Sequence, residues 1–136
     1  MIEENNLIFI YGKPGSYKSS LGANLLNGIN KTSCYINLDN NNFLKFNNNV
    51  KAYNSEDISD IESIKQCINN YEVTLIDYLE LLNYTKNDLL ELKKIVEDNN
   101  KTLIILTGCS SKDDLMNNNH YKFIKEISNL IIITDK

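Results

Sequence analysis

Leu7-Ile8-Phe9-Ile10-Tyr11-Gly12-Lys13-Pro14-Gly15-Ser16-Tyr17-Lys18-Ser19-Ser20 is the stretch on which the reading of the whole chain turns. Five consecutive apolar or aromatic residues open it, and an unbroken apolar run marks a strand covered on both faces, as in a parallel sheet. A Gly/Pro turn follows, and Ser19 to Asn27 then carries helical patterning. Between strand and helix, Gly12 to Ser19 fits the Walker A pattern G-x-x-x-x-G-K-[ST] at every position but one: Tyr17 stands where a glycine is expected before the lysine. In that pattern the N–H groups of the loop and helix start wrap phosphate, the lysine reaches the β and γ oxygens, and the hydroxyl binds Mg²⁺. Gly12, Lys13, Pro14, Gly15, Ser16, Tyr17, Lys18, Ser19 and Ser20 are therefore the expected nucleotide-binding residues, with Lys18 on the phosphates and Ser19 on the metal. A side chain at position 17 crowds the phosphate-facing turn. The competing reading is an ordinary strand-to-helix turn with a solvated lysine; strand, spacing and helix together favour the phosphate loop.

Beyond this stretch, four more apolar, β-branched runs are bounded by turn residues: Cys34 to Leu38, Val73 to Ile76, Leu103 to Leu106 and Leu130 to Thr134. Helical patterns lie between them. Ile58, Ile61, Ile64 and Ile68 repeat after an N-cap at Ser55, and Leu89, Leu92, Ile95 and Val96 after Thr85, with Asp88 three residues on; a last helix is expected over Leu115 to Ile127. Strands alternating with helices predict right-handed βαβ crossovers. The fold class expected is α/β, a three-layer α/β/α sandwich around a mostly parallel five-stranded sheet. No linker or repeat divides the chain, so residues 1–136 are read as a single minimal domain.

The 136 residues include 18 acidic and 14 basic ones, every basic residue being lysine, for a net charge of -4. With 42% hydrophobic and 24% charged residues the chain is too apolar for disorder, and its acidic balance argues against gripping DNA or anionic lipid over the whole surface. Met1-Ile2-Glu3-Glu4 lacks the basic start of a signal peptide, and no apolar run approaches the roughly 18 residues of a membrane span. Three cysteines with no CxxC pair suggest neither a disulfide framework nor a zinc site. A soluble, cytoplasmic protein with no membrane partner is expected. Runs such as Asn47-Asn48-Asn49 read as the bias of an AT-rich genome, without chemistry of their own.

Val73-Thr74-Leu75-Ile76-Asp77-Tyr78-Leu79-Glu80-Leu81-Leu82 is the second chemical element. An aspartate ending an apolar strand is the Walker B arrangement, whose carboxylate binds Mg²⁺ through water at the carboxyl edge of the sheet. Ile76-Asp77-Tyr78-Leu79-Glu80-Leu81-Leu82 resembles the IDYLQL-type Walker B of the DnaB-like replicative helicases, within the RecA-like ATPases. The resemblance runs on through Leu92-Lys93-Lys94 to Thr107 and Ile127 to Ile133, although only the two Walker motifs are specific. It implies a RecA-like P-loop NTPase that binds ATP and Mg²⁺, with Lys18, Asp77 and Asp39 as the catalytic set. Asp39, in Ile36-Asn37-Leu38-Asp39, falls where the family has the glutamate that polarises the attacking water, and is one methylene shorter. Thr107 falls at the family's γ-phosphate sensor, usually glutamine. The implied partners are nucleotide, single-stranded DNA or a replication or segregation protein, and further copies of the chain; the implied setting is DNA replication, recombination or plasmid and mobile-element maintenance. The family's N-terminal domain has no counterpart before Leu7, nor its arginine-bearing tail after Lys136, so a bare core is expected.

Other residues carry less. His120 has no partner at metal spacing and reads as a helix surface position, while Cys34 and Cys109 read as small core residues. Lys112, Lys122 and Lys125 with Tyr121 and Phe123 read either as a patch for single-stranded nucleic acid or, more simply, as a helix with an apolar core face. Three alternatives compete with the helicase-like reading. A ParA/MinD-like ATPase would use Lys13 across a dimer and Asp39 as a switch residue. A small-molecule nucleotide kinase would need lid arginines, and the chain has none. A degenerate P-loop fold serving as an adaptor would place Tyr17 in the phosphate site. Because only lysine is available, self-assembly cannot supply an arginine finger, and slow ATP hydrolysis by the chain alone is expected.

Overall fold

The computed structural model describes residues 6–13, 17–39, 44–108 and 119–134. In chain order the elements are β1 (Leu7–Gly12), α1 (Lys18–Gly28), β2 (Ser33–Asn37), β3 (Val50–Asn54), α2 (Ile61–Asn70), β4 (Val73–Asp77), a 3-10 turn (Leu79–Leu82), α3 (Lys86–Asp98), β5 (Thr102–Gly108), α4 (Asn119–Ile127) and β6 (Leu130–Thr134). The strands form one parallel sheet in the order β3-β2-β4-β5-β1-β6. The α/β class and the parallel pairing match the sequence reading, with six strands instead of five. The added strand, β3, is an edge strand paired only to β2, and Lys51, Ala52 and Asn54 stand exposed on it. It therefore lacks the continuous apolar run of a doubly covered strand.

Handedness decides which face each connection covers. From β1 to β2 and from β2 to β3 the chain steps toward one edge of the sheet, whereas every later connection steps toward the other, and right-handed crossovers then fall on opposite faces. One face accordingly packs Ile8, Ile10, Leu75 and Leu106 against Ala23 and Leu26 of α1, with Leu44 and Phe46 alongside. The other packs Phe9, Ile36, Ile76 and Ile105 against α2, α3 and α4. Neighbours within one strand thus enter different cores, the physical origin of the unbroken apolar runs. Among the described residues no helix is long and apolar enough to cross a membrane.

Local signals set the helix ends. Thr85 and Asp88 form the expected capping box, Asp88 N–H donating to Thr85 Oγ1 at 3.1 Å and Thr85 N–H to Asp88 Oδ2 at 2.8 Å. The start of α2 differs from expectation: its N-cap is Asp60, whose Oδ1 accepts from Ser63 N–H at 2.8 Å, and not Ser55. Ser55 lies in a turn where Asn54 Oδ1 accepts from the N–H groups of Glu56 and Asp57, and Ile58 is buried in the core ahead of the helix. The stretch from Leu115 expected to open the last helix, and Cys109, lie outside the described residues, whereas Cys34 is buried as read.

Two devices seat α1. A Cβ on Gly22 would stand 2.8 Å from Leu75 Cδ1 and 3.2 Å from Leu106 Cδ1, so glycine lets the helix lie close on β4 and β5. At its far end, Asn49 Nδ2 donates to the carbonyls of Leu26, Ile29 and Lys31 at 3.0, 2.8 and 3.0 Å, gathering acceptors that a helix end leaves over. Asn49→Ala should therefore lower stability by about 1–3 kcal/mol in urea unfolding, with the exposed Asn48→Ala as control. Equal midpoints for the two variants would mean that water replaces the amide at no cost.

Candidate functional site

A parallel sheet delivers the carboxyl ends of all its strands to one edge. There Gly12 stands in register with Gly108 and with Thr134, Asn37 with Asp77, and Asp77 with Leu106. Into this edge runs the start of α1, the positive end of the helix dipole. Its first turn holds no acidic residue, and the Tyr17 side chain at the N-cap bonds none of its N–H groups.

Tyr17 has φ 62° and ψ 24°, the left-handed region that glycine enters freely and a side chain enters at a cost. That is why the pattern calls for glycine. The backbone nevertheless takes the helix-starting conformation, with Tyr17 C=O accepting from Leu21 N–H at 2.9 Å. Tyr17 is 73% exposed, a large aromatic residue standing in solvent.

Lys18 is only 4% exposed, unlike the solvated lysine of an ordinary turn. Its Nζ lies 4.7 Å from the centroid of the Tyr78 ring, and among the described residues it makes no ion pair. Tyr78, directly after Asp77, holds that ring from a second positive-φ backbone, φ 60° and ψ 94°.

Asp77 is fully buried at the end of β4. Its Oδ2 accepts from Ser19 Oγ at 2.8 Å and from the Tyr35 hydroxyl at 2.6 Å. Burial pushes its carboxyl above the usual range, opposed by the bonds from Tyr35 and Ser19; the charge of Asp39 adds to the rise and that of Lys18 opposes it. The Tyr35 phenol is pushed up in turn, by burial first and then by the facing carboxylate. Asp39 stands exposed just past β2, whose exit is tied to β4 by Leu38 N–H donating to Asp77 C=O at 3.2 Å.

The two Walker elements thus meet: Lys18, Ser19 and Asp77 converge, with Asp39 within electrostatic reach and Gly12 at the same edge. Lys13 is exposed at the end of β1, and Ser20 lines a groove of about 280 Å³ with Ala23, Asn24, Asn27, Leu44 and Lys45. Thr107 is buried at the end of β5, in register with Tyr11. Pro14, Gly15, Ser16 and Lys112 lie outside the described residues. The lysine-aromatic group is divided: Tyr121 is buried edge-on to Tyr11, Phe123 stacks on His120 and under Lys86 Nζ, and Lys122 and Lys125 stay exposed. His120 is half-buried, Nε2 sharing a 2.6 Å hydrogen bond with Tyr84. Two further site residues, Tyr35 and Tyr78, emerge only from the structure. Tyr78 lies inside the quoted Walker B segment; Tyr35 carried no signal within an apolar run.

A helix following an interior strand of a parallel sheet, with an aspartate at the end of a strand two places away, is the arrangement of the P-loop NTPase fold. Solved structures bear out that fold. The VirB11 ATPase of the Brucella suis type IV secretion system, in complex with sulphate, matches with a TM-score of 0.55 at 14% identity over 90% of this chain. A DNA replication initiation factor matches with a TM-score of 0.50 at 14% identity over 96%. The chain spans 40% of the length of each. No family model and no curated protein matches it.

Tyr17→Gly relieves the left-handed strain at the N-cap and should raise stability by up to about 1 kcal/mol. Urea unfolding measures it. A lower midpoint would mean that the exposed ring makes contacts worth more than the strain.

Proposed function

We propose that the chain binds ATP with Mg²⁺ at the carboxyl edge of the sheet, as a RecA-like ATPase of low intrinsic turnover. The observation that carries this reading is Lys18: a buried ammonium that makes no ion pair among the described residues, with the Asp77 carboxylate within electrostatic reach but not in contact. Such a charge is costly unless an anion completes it. The adjacent helix start and the Walker A spacing make phosphate the matching anion.

The donor set fits Mg²⁺. A serine hydroxyl and a carboxylate offer hard oxygen ligands, and among the described residues no group of three or more His, Cys, Asp or Glu forms a cage that would suit another metal. Magnesium characteristically uses one or two carboxylates together with substrate phosphates, and it would neutralise phosphate charge between Ser19 and Asp77. In hydrolysis, water attacks the γ-phosphorus, the bond to the β–γ bridging oxygen breaks, and ADP, phosphate and a proton leave. Lys18 binds the phosphates, and Asp39 orients the attacking water and draws off its proton. By their place in the Walker A pattern, Pro14, Gly15 and Ser16 are assigned to the phosphate-binding segment together with Lys13 and Ser20. The exposure of Tyr17 supports a nucleotide site over an adaptor in which its ring fills the loop. A role alongside DNA, in replication, recombination or mobile-element maintenance, rests on the DnaB-like resemblance of the Walker B segment.

Lys18→Met keeps the stem and removes the charge. It should weaken binding of a fluorescent ATP analogue by at least ~10-fold, the loss of one or more charge-assisted bonds, while the urea midpoint holds or rises. Equal affinity in both proteins at equal stability would sink the nucleotide reading.

Hydrolysis depends on the missing arginines. Arginine fingers contribute roughly 10³ to 10⁵ in rate, and lysine lacks the bidentate fork that spreads over equatorial oxygens. The purified chain should turn ATP over slowly or not at all, with faster turnover only when a lysine such as Lys13 acts in trans or another protein supplies arginine. Brisk steady-state turnover, lost in Asp77→Ala but indifferent to every lysine substitution outside the loop, would show this account to be wrong.

A further inference from the structure

We infer that Tyr35 is a positioning residue for Asp77, its hydroxyl orienting the carboxylate that faces Mg²⁺ in the nucleotide site; the inference rests on the nucleotide reading above. Tyr35 sits in the middle of β2, fully buried on the α1 face of the sheet, with the Phe46 ring 5.0 Å away. Phenylalanine would suit those surroundings at lower cost, since a buried phenol must find a partner. Register explains the reach. Tyr35 lies opposite Leu75, and Asp77 two residues farther along β4 points to the same face, the diagonal spacing that an aromatic side chain spans. A serine or threonine at position 35 would fall short.

The bond formed is 2.6 Å from hydroxyl to Asp77 Oδ2, within the range of charge-assisted O–H···O⁻ bonds. Ser19 Oγ donates to the same oxygen at 2.8 Å. Two donors on one oxygen, from β2 and from α1, fix the carboxylate's rotation from two independently anchored elements. Outer partners of metal-binding groups act in this way, and their loss typically costs 10- to 100-fold in metal affinity.

Tyr35→Phe deletes the hydroxyl and keeps the ring. The experiment measures the affinity of a fluorescent ATP analogue with Mg²⁺ and with EDTA, well below the variant's unfolding midpoint. The ratio of the two affinities should fall about 10-fold, while the EDTA value stays within about twofold, because Lys18 and the loop are untouched. In an Asp77→Asn background the same change should have no further effect. An unchanged ratio, or equal losses in both conditions, would make Tyr35 a packing residue and overturn the inference. A wild-type chain that binds the analogue in neither condition would instead overturn the nucleotide reading itself, and a ratio that still falls in the Asp77→Asn background would refute the route through Asp77.

Discussion

The pair of hydrogen bonds that converge on Asp77 Oδ2 is the point on which the carboxyl edge depends. A fully buried carboxylate without donors would cost several kcal/mol, and here the donors come from different elements, Ser19 on α1 and Tyr35 on β2. For both to reach one oxygen, β2 must pair with β4 in the observed register and α1 must lie close on the sheet. The first condition is met by Asn37 facing Asp77. The second is met by Gly22, whose missing side chain leaves room for Leu75 and Leu106. One helix is thereby pinned at its start by a polar contact, at its middle by close packing and at its end by the Asn49 amide.

Away from this edge the structure is locally consistent, with apolar strands, a capping box and glycine where close packing needs it. At the edge it is not. Lys18 is buried with an aromatic ring against its charge, and both Tyr17 and Tyr78 hold positive φ. Features of this kind cost of order 1–3 kcal/mol each and persist where surrounding structure over-determines them, which is typical of functional sites. Their gathering around Lys18 and Asp77 supports a ligand role for these residues beyond what the motif spacing carries.

Most of the fold is legible in the sequence because a doubly covered strand is apolar at successive positions, as Leu7 to Tyr11 and Leu103 to Leu106 are. β3 is not, because an edge strand with exposed residues obeys no such rule, and Val50-Lys51-Ala52-Tyr53-Asn54 has the composition of a loop. Ser55 and Asp60 are both good N-cap residues, and the choice between them depends on Ile58 entering the core ahead of the helix, which is a tertiary fact. At the candidate site, Lys18, Ser19 and Asp77 are legible since the Walker motifs that single them out have fixed spacing next to a strand. Tyr35 is not, because its partner lies 42 residues away and is reached only through the parallel register of β2 and β4.

The asparagine bias also acquires a physical side. Asn49 gathers carbonyls at the end of α1, and Asn129 Oδ1 accepts from the N–H groups of Asn6 and Leu7 at the entry to β1. Asn83 and Asn100 take up positive φ, 43° and 53°, in loops between elements, as the short amide side chain allows. A chain with only five glycines thus meets its ordinary left-handed turns with asparagine. Against that habit, the two tyrosines at positive φ stand out. Compositional drift would have favoured asparagine at positions 17 and 78 as well, and backbone strain alone would have favoured glycine. What tyrosine adds at position 78 is a ring face for a buried ammonium, a contact of about 0.5–2 kcal/mol that holds Lys18 folded inward at the start of α1. The strain at Tyr78 and the burial of Lys18 are therefore best understood as one arrangement, in which the backbone is bent so that the ring, and not the solvent, faces the charge.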